Sequence, residues 1–359
     1  MDYTTQPARL SFKNKLFLAL FGLVISALML EVAFRVLAPG LKPKRWSDRP
    51  YAYFIPSDSR TLQDRPQHPK EPGTFRILVV GDSFTFGPHL QLNDTFPKKL
   101  EQMLNLNPAA PRVEVINRGV SGVSTEVEVE LVRKALKEQP DLLVLEITLN
   151  DAETLPLTKA KRAELFDAPW MKWRIFTIWR SLGFVAQRLH NYQTVGRHIE
   201  YYNQLFKTPQ TLQQFDTALS KIAILAKGAQ VPILAMVFPL FDFPVNNNYP
   251  FHEVHTVIQK SLAAHAITEV DLLMAYKNIP PERLQVIPGI DNHPNEIAHR
   301  IAAERLLAVL ADRRYLPEAV LPSRIFRQRD GLRSKSSPGA AVWSRVAHAV
   351  AQTSDHTEN

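Results

Sequence analysis

The amino-acid sequence predicts a three-layer α/β domain built around a mainly parallel sheet. Short apolar runs typical of buried strands alternate with helix-like segments over residues 74–312, which is the pattern of strands joined by crossover helices. The run at residues 141–147 reads as apolar on both faces, as expected for a strand covered by helices on both sides. Ligands of such sheets bind beyond the carboxyl ends of the strands.

Each element follows from a local pattern. Strands are predicted over residues 76–80, 113–116, 141–147, 231–238 and 268–272. Helices are predicted running through residues 99–106, after a start at 94 or 95, and over residues 126–137, 212–226, 252–265 and 295–310. Asp94 or Thr95 is expected to cap the first of these helices, with Pro97 in its first turn. Gly228 is expected to stop the third.

A membrane anchor is predicted at residues 16–38, after a polar segment at 1–15. Residues 16–30 are apolar and uncharged, and the apolar character resumes beyond Glu31. A helix of this length can cross a bilayer. A cleaved signal peptide is the alternative, but no small-x-small cleavage site follows the apolar run. Basic residues flank the segment on both sides, so charge alone leaves its orientation open.

Three further segments depart from the α/β pattern. Residues 39–73 are rich in proline and polar residues and are predicted to be a linker lying against the domain. Residues 151–211 form an aromatic and basic insertion with helical character. It is expected to pack on the domain, the alternatives being a cap over the substrate or a surface resting on the membrane. Residues 313–359 are basic and are expected to be a disordered tail.

Composition excludes several kinds of chemistry. The chain has 359 residues and no cysteine, which rules out disulfides and thiolate sites. Its net charge of +8 is concentrated near the two ends, where basic residues favour phospholipid head groups over nucleic acid. His252 and His255 stand at metal-ligand spacing, but no carboxylate motif completes a site. No cofactor, metal or nucleic-acid partner is therefore expected.

The stretch at residues 76–87 carries a candidate nucleophile. A buried apolar run, Ile77–Val80, ends in the turn Gly81-Asp82-Ser83. Serine is a weak nucleophile and needs a base and oxyanion donors. An ordinary strand-end turn is the alternative, in which Asp82 stabilises the turn. Ser83, residues 117–122 and Asn150 all follow predicted strand ends, so we expect them at one edge of the sheet.

Four short blocks stand in order along this pattern. They are Gly81-Asp82-Ser83, Asn117-Arg118-Gly119-Val120-Ser121-Gly122, Thr148-Leu149-Asn150-Asp151 and Asp291-Asn292-His293-Pro294-Asn295. Together they resemble the SGNH/GDSL hydrolase family over roughly residues 74–312. The resemblance implies a flavodoxin-like α/β fold and a serine ester hydrolase.

The resemblance also implies roles for individual residues. Ser83 would be the nucleophile, His293 its general base and Asp291 the carboxylate that orients the imidazole. The oxyanion hole would comprise the backbone N–H groups of Ser83 and Gly122 and the side-chain amide of Asn150. The choice of Gly122 over the nearby Gly119 follows the family pattern.

The sequence departs from the family in two places. Thr148 stands where the third block usually has glycine. Asn292 alone separates Asp291 from His293, where two residues are usual.

The expected function is removal of acetyl or another acyl group from a cell-envelope glycan or lipid, through an acyl-enzyme. An O-acyltransferase with the same site is an alternative, because water and a sugar hydroxyl compete for one intermediate. A non-catalytic glycan-binding or scaffold protein is another, which Thr148 and the short Asp291–His293 spacing would favour. The family analogy places the chain in the bacterial inner (cytoplasmic) membrane, single-pass, with the catalytic domain on the periplasmic side.

Overall fold

The computed structural model describes residues 11–37, 64, 68–154 and 180–320. The helices are α1 (Phe12–Leu37), α2 (Ser83–Phe86), α3 (Phe96–Leu104), α4 (Thr125–Leu136), α5 (Arg180–Lys207), α6 (Pro209–Gly228), α7 (His252–Ala264) and α8 (Glu296–Asp312). The strands are β1 (Phe75–Gly81), β2 (Val113–Gly119), β3 (Leu142–Ile147), β4 (Ile233–Val237), β5 (Thr268–Asp271), β6 (Gln285–Ile287) and β7 (Asp291–Pro294). Most of the predicted linker and tail, and residues 155–179 of the insertion, lie outside the described residues.

A five-stranded parallel sheet forms the centre of the domain, in the order β2-β1-β3-β4-β5. The helices α4, α6 and α7 pack side by side in one layer, and α3 packs against α8 in the other. All six residues of β3 are buried, because helices cover both faces of the sheet. The predicted three-layer α/β fold with a mainly parallel sheet is confirmed.

The ends of two helices show where local patterns succeed and fail. Thr95 occupies the N-cap of α3 and Pro97 lies in its first turn, although the Thr95 side chain forms no capping hydrogen bond. The prediction that Gly228 stops its helix is wrong, since Gly228 is the last residue of α6. The left-handed residue is Gln230, with φ of 58°. The Val231 N–H donates to Ala226 O at 3.0 Å, which is the closing bond of a Schellman turn.

A short antiparallel hairpin formed by β6 and β7 precedes α8. The sequence assigns these residues to no element and predicts a loop around Asp291 and His293. That prediction is wrong, since both residues belong to β7. Strands of three and four residues are too short to show the alternation by which strands are recognised.

The helix α1 is long and apolar enough to cross a membrane. Its apolar part, Phe12–Ala33, has a mean hydropathy of 2.4 and is almost entirely exposed. By length and composition such a helix is either a membrane span or a signal sequence.

Two further segments pack on the domain. In the linker, Asp64 accepts a hydrogen bond from the Asn117 N–H at 2.9 Å, which covers part of the outer edge of β2. In the insertion, Tyr202 and Phe206 at the end of α5 are buried in the core. The aromatic residues predicted to pack nearer the start of the insertion, Trp170 to Trp179, lie outside the described residues.

Candidate active site

The candidate nucleophile Ser83 begins α2, directly after β1. Asp82 caps this short helix, because its carboxylate accepts a hydrogen bond from the Phe84 N–H at 2.8 Å. Asp82 is fully buried, whereas Ser83 is partly exposed. The strand end therefore fixes the backbone of Ser83 while its hydroxyl faces the edge of the sheet, where ligands of parallel sheets bind.

The structure brings Ser83, His293 and Asp291 into one hydrogen-bonded chain. Ser83 Oγ lies 3.0 Å from His293 Nε2, and His293 Nδ1 lies 2.6 Å from Asp291 Oδ1. Burial acts to raise the pKa of Asp291, but the charge of His293 and hydrogen bonds from its ring and backbone N–H lower it to about 2. An ionised Asp291 can hold the imidazole with Nδ1 protonated and Nε2 facing the serine.

The strand β7 explains how a single spacer residue suffices between Asp291 and His293. In an extended strand, residues two apart project from the same face. Asp291 and His293 therefore meet side by side, and Asn292 points away and donates a hydrogen bond to Asp242. The departure from the usual spacing is thus compatible with an intact pair of acid and base.

Asn150, the predicted side-chain donor of the oxyanion hole, lies just beyond β3 and is buried. Its Nδ2 donates to Asp82 Oδ2 at 2.8 Å, and its Oδ1 accepts from the hydroxyl of Thr148. Thr148 Oγ1 also lies 3.1 Å from Asp82 Oδ2. Thr148, the residue that departs from the family pattern, thus contacts both Asn150 and Asp82.

The two candidate glycines of the second block occupy different environments. A side chain at Gly119 would overlap the backbone of Thr85 and Phe86, so Gly119 permits the close approach of α2 to β2. Gly122 has φ of 76° and no atom near its absent side chain, in a turn after β2 that is exposed. Gly122 is therefore the more open of the two positions, and Gly119 serves packing.

A cluster of buried carboxyl groups lies beneath the serine, and sequence reasoning missed it. Glu146 Oε2 accepts from the Asp82 N–H at 3.1 Å and from Thr85 Oγ1 at 2.9 Å. Asp151 accepts from Thr125 Oγ1 at 2.9 Å and from the Thr148 N–H at 2.6 Å. Glu128 is fully buried. Glu146 interrupts an otherwise apolar strand, and this was the signal available in the sequence.

The members of this cluster share an unusual titration behaviour. Burial raises the pKa of Glu128, Glu146 and Asp151 well above the usual range for each carboxyl group. Repulsion between neighbouring carboxylates, including Asp82, raises these pKa values further. The cluster therefore keeps its protons to a higher pH than free carboxyl groups do.

Three further histidines lie outside the hydrogen-bonded chain of Ser83, His293 and Asp291. His299 Nδ1 accepts from the Phe96 N–H at 3.0 Å, and burial, followed by the charges of Lys99 and His293, lowers its pKa to about 3. His255 is buried in the domain, whereas His252 is exposed. Among the described residues, no group of three histidine or acidic side chains is arranged to hold a metal ion.

A parallel α/β domain with serine, histidine and aspartate in contact at the sheet edge has the architecture of an ester hydrolase. Residues 79–301 match the model of the GDSL-like lipase/acylhydrolase family, which is more than half of the chain. The chain belongs to this family and is a hydrolase of ester bonds. No curated protein matches the sequence at a significant level.

Several solved structures are similar to the chain at low sequence identity. The crystal structure of TesA shares 18% identity with a TM-score of 0.43, covering 67% of this chain and 99% of TesA. A catalytic mutant of Axe2, an acetylxylan esterase from Geobacillus stearothermophilus, shares 16% identity with a TM-score of 0.43, covering 69% and 97%. The psychrotrophic esterase EstA from Pseudoalteromonas sp. shares 13% identity with a TM-score of 0.41, covering 67% and 99%.

Proposed function

We propose that this protein is a serine esterase that works through an acyl-enzyme formed on Ser83. The observation that carries the proposal is the hydrogen-bonded chain from Ser83 Oγ through His293 to Asp291, with heavy-atom distances of 3.0 and 2.6 Å. Both distances lie within the range in which a base activates a nucleophile. The same geometry weighs against a purely binding role for the site around Ser83.

The reaction proceeds in two balanced halves. His293 Nε2 takes the proton of Ser83 Oγ as that oxygen attacks the ester carbonyl carbon. The tetrahedral intermediate collapses, the bond to the alcohol oxygen breaks, and His293 returns the proton to the departing alcohol. A water molecule then gives a proton to His293 Nε2 and attacks the acyl carbon. The bond between Ser83 Oγ and the acyl carbon breaks as His293 returns that proton to Ser83 Oγ, which releases the acid and restores the free serine.

Stabilisation of the oxyanion is assigned to the N–H groups of Ser83 and Gly122 and to Asn150 Nδ2. A side-chain amide carries two donor hydrogens. One is directed to Asp82 Oδ2 at 2.8 Å, which leaves the second for the oxyanion. Because Thr148 contacts the amide oxygen, the orientation of Asn150 is set before substrate arrives, as electrostatic catalysis requires.

The proposed substrate is an acylated glycan or lipid of the cell envelope. The apolar helix α1 supports a membrane location, with residues 16–38 as a single anchor, residues 74–312 as the hydrolase domain, and that domain outside the cytoplasm. The acyl group is expected to be short, such as acetyl, so the acid released would be acetate or a similar small carboxylate. Both the acyl group and the side of the membrane follow from the family analogy.

The test is hydrolysis of p-nitrophenyl acetate by the full-length protein in detergent micelles. Ser83→Ala should abolish turnover, whereas Ser261→Ala, a change of the same type on α7 outside the site, should not. Equal rates for the wild type and Ser83→Ala, with the fold retained by circular dichroism, would refute the proposal. A burst of nitrophenol without turnover would instead indicate that the acyl group is passed to an acceptor other than water.

A further inference from the structure

The insertion helix α5 exposes a row of apolar side chains, here called the α5 stripe. Its members are Leu182, Val185, Leu189, Tyr192 and Val195. They are spaced by three or four positions, so they share one side of the helix. Tyr192 is 80% exposed and Val185 is 62% exposed. A contiguous apolar surface of this kind marks an interaction site more often than a scattered exposed residue does.

The other side of the same helix is already buried. Ala186, His190 and Thr194 are each less than a tenth exposed. Further along α5, Tyr202 packs edge-on against Phe251, with ring centroids 5.9 Å apart. The C-terminal turns of α5 are therefore fixed to the domain, and the residues that the structure describes leave the α5 stripe uncovered.

We propose that the α5 stripe docks on the surface of a lipid bilayer that contains anionic lipids. The sequence of α5 holds four basic residues and a single acidic residue, Glu200. Arg188 is exposed and directly precedes Leu189 of the α5 stripe. An apolar face combined with basic side chains is the composition of helices that lie in the membrane interface, since lysine and arginine reach the head groups while apolar side chains enter the acyl boundary.

A second copy of the chain fits the α5 stripe less well. Two helices that pair through an apolar seam are usually supported by opposite charges beside the seam. Two copies of α5 would instead bring together helices that each carry an excess of positive charge. Anionic head groups meet that charge with attraction, and the apolar helix α1 gives the chain a second element suited to a bilayer.

Docking at this face would bring the candidate catalytic hairpin close to the lipid surface. Asn191 Nδ2 donates to Gly289 O at 3.4 Å, and the guanidinium of Arg188 lies directly over Gly289. Gly289 is in the turn that joins β6 to β7, and β7 carries His293. The inference concerns where the domain sits and holds whichever ester is cleaved.

The absence of cysteine from the sequence allows a direct test with single labels. Val185→Cys and Tyr192→Cys place a label on the α5 stripe, and Gln102→Cys places one on exposed α3 in the opposite layer. Each full-length variant carries an environment-sensitive fluorophore and is reconstituted into vesicles with anionic lipid and a nitroxide-labelled lipid. Labels at positions 185 and 192 should show blue-shifted emission and strong quenching by the nitroxide. The label at position 102 should show neither.

Two outcomes would overturn the proposal. Unquenched labels at positions 185 and 192 with blue-shifted emission would mean that protein covers the α5 stripe, either this chain or a second copy. Unquenched labels with solvent-like emission would mean that the face stays in water. Quenching should also fall in vesicles of neutral lipid, and equal quenching in those vesicles would contradict the role given to anionic lipid. Repeating the measurement with Ser83→Ala separates docking from hydrolysis, because quenching does not depend on the nucleophile.

Discussion

Replacing Glu128 with glutamine is predicted to change how the stability of the fold depends on pH. Glu128 lies on α4 and is fully buried, and neither of its carboxyl oxygens has a hydrogen-bond partner among the described residues. Burial raises its pKa well above the usual value, and the neighbouring carboxylates of Asp151, Glu146 and Asp82 raise that pKa further. The folded protein therefore keeps this proton to a higher pH than the unfolded chain does.

The size of the effect follows from this one proton. Glutamate in an unfolded chain ionises near about pH 4.3. Because the pKa of Glu128 is raised in the fold, its contribution to the free energy of unfolding is largest below about pH 4.3 and shrinks as the pH rises. Between the unfolded and the folded pKa of Glu128, the free energy of unfolding falls by up to roughly 1.4 kcal/mol per pH unit because of this group. Glutamine does not titrate, so Glu128→Gln should gain on the wild type by up to roughly 1.4 kcal/mol for each pH unit within that interval.

The assay is urea unfolding of the full chain in detergent micelles, followed by far-ultraviolet circular dichroism at several pH values. Glu130→Gln is the matched control, since Glu130 lies on the same helix with its side chain 53% exposed, and its slope should equal that of the wild type. Parallel pH dependences for Glu128→Gln and the wild type would refute the reasoning. They would show that Glu128 is already ionised in the folded protein.

The remaining predictions concern the candidate site and its supports. Asn150→Ala should lower kcat on p-nitrophenyl acetate by about 10²–10³-fold through loss of an oxyanion donor, and an unchanged kcat would remove Asn150 from the site. Asp291→Asn should lower kcat by roughly 10³–10⁴-fold, because the imidazole loses its preferred tautomer; a loss of less than about tenfold would contradict this role. Thr148→Val should cost roughly tenfold in kcat with little change in KM, as expected for loss of about 1–1.5 kcal/mol of hydrogen bonding, and Thr148→Ser should restore the rate. His299→Asn should flatten the loss of stability below about pH 6.5. The buried imidazole stays neutral in the fold, where its pKa is about 3, but takes up a proton on unfolding, which favours the unfolded state in acid. An unchanged acid limb in urea unfolding would contradict that account.

The sheet was predictable because its strands are buried on both faces. A continuous apolar run such as Ile77–Val80, or the run that became β3, has few alternatives when helix-like segments flank it. Helix ends were harder to predict. Gly228 was the obvious stop by residue type, yet the left-handed position fell two residues later on Gln230, because the preceding residues kept their helical hydrogen bonds as far as Gly228.

Some parts of the candidate site could likewise be predicted from the sequence, and other parts could not. Ser83 and His293 were recognisable from local blocks, and the fold brings them together across 210 positions of sequence. The hairpin that aligns Asp291 with His293 was not predictable, since four residues of strand leave no periodic signal. The burial of Glu128 could not be predicted either, because a glutamate in the first turn of a helix is the expected partner of the helix dipole at a solvated surface.

The buried carboxyl cluster connects stability with catalysis. An oxyanion forms next to Ser83 and Asn150 in the proposed reaction, and Glu146 accepts a hydrogen bond from the N–H of Asp82, the residue before Ser83. Ionised carboxylates this close in the fold to Ser83 and Asn150 would repel the negative charge that develops on the oxyanion, and burial strengthens such repulsion. Because burial raises the pKa of Glu146 and Asp151, these two groups carry less negative charge at a given pH than free carboxyl groups would. Loss of these protons in alkali should therefore lower kcat before the domain unfolds, and Glu146→Gln should extend activity to higher pH.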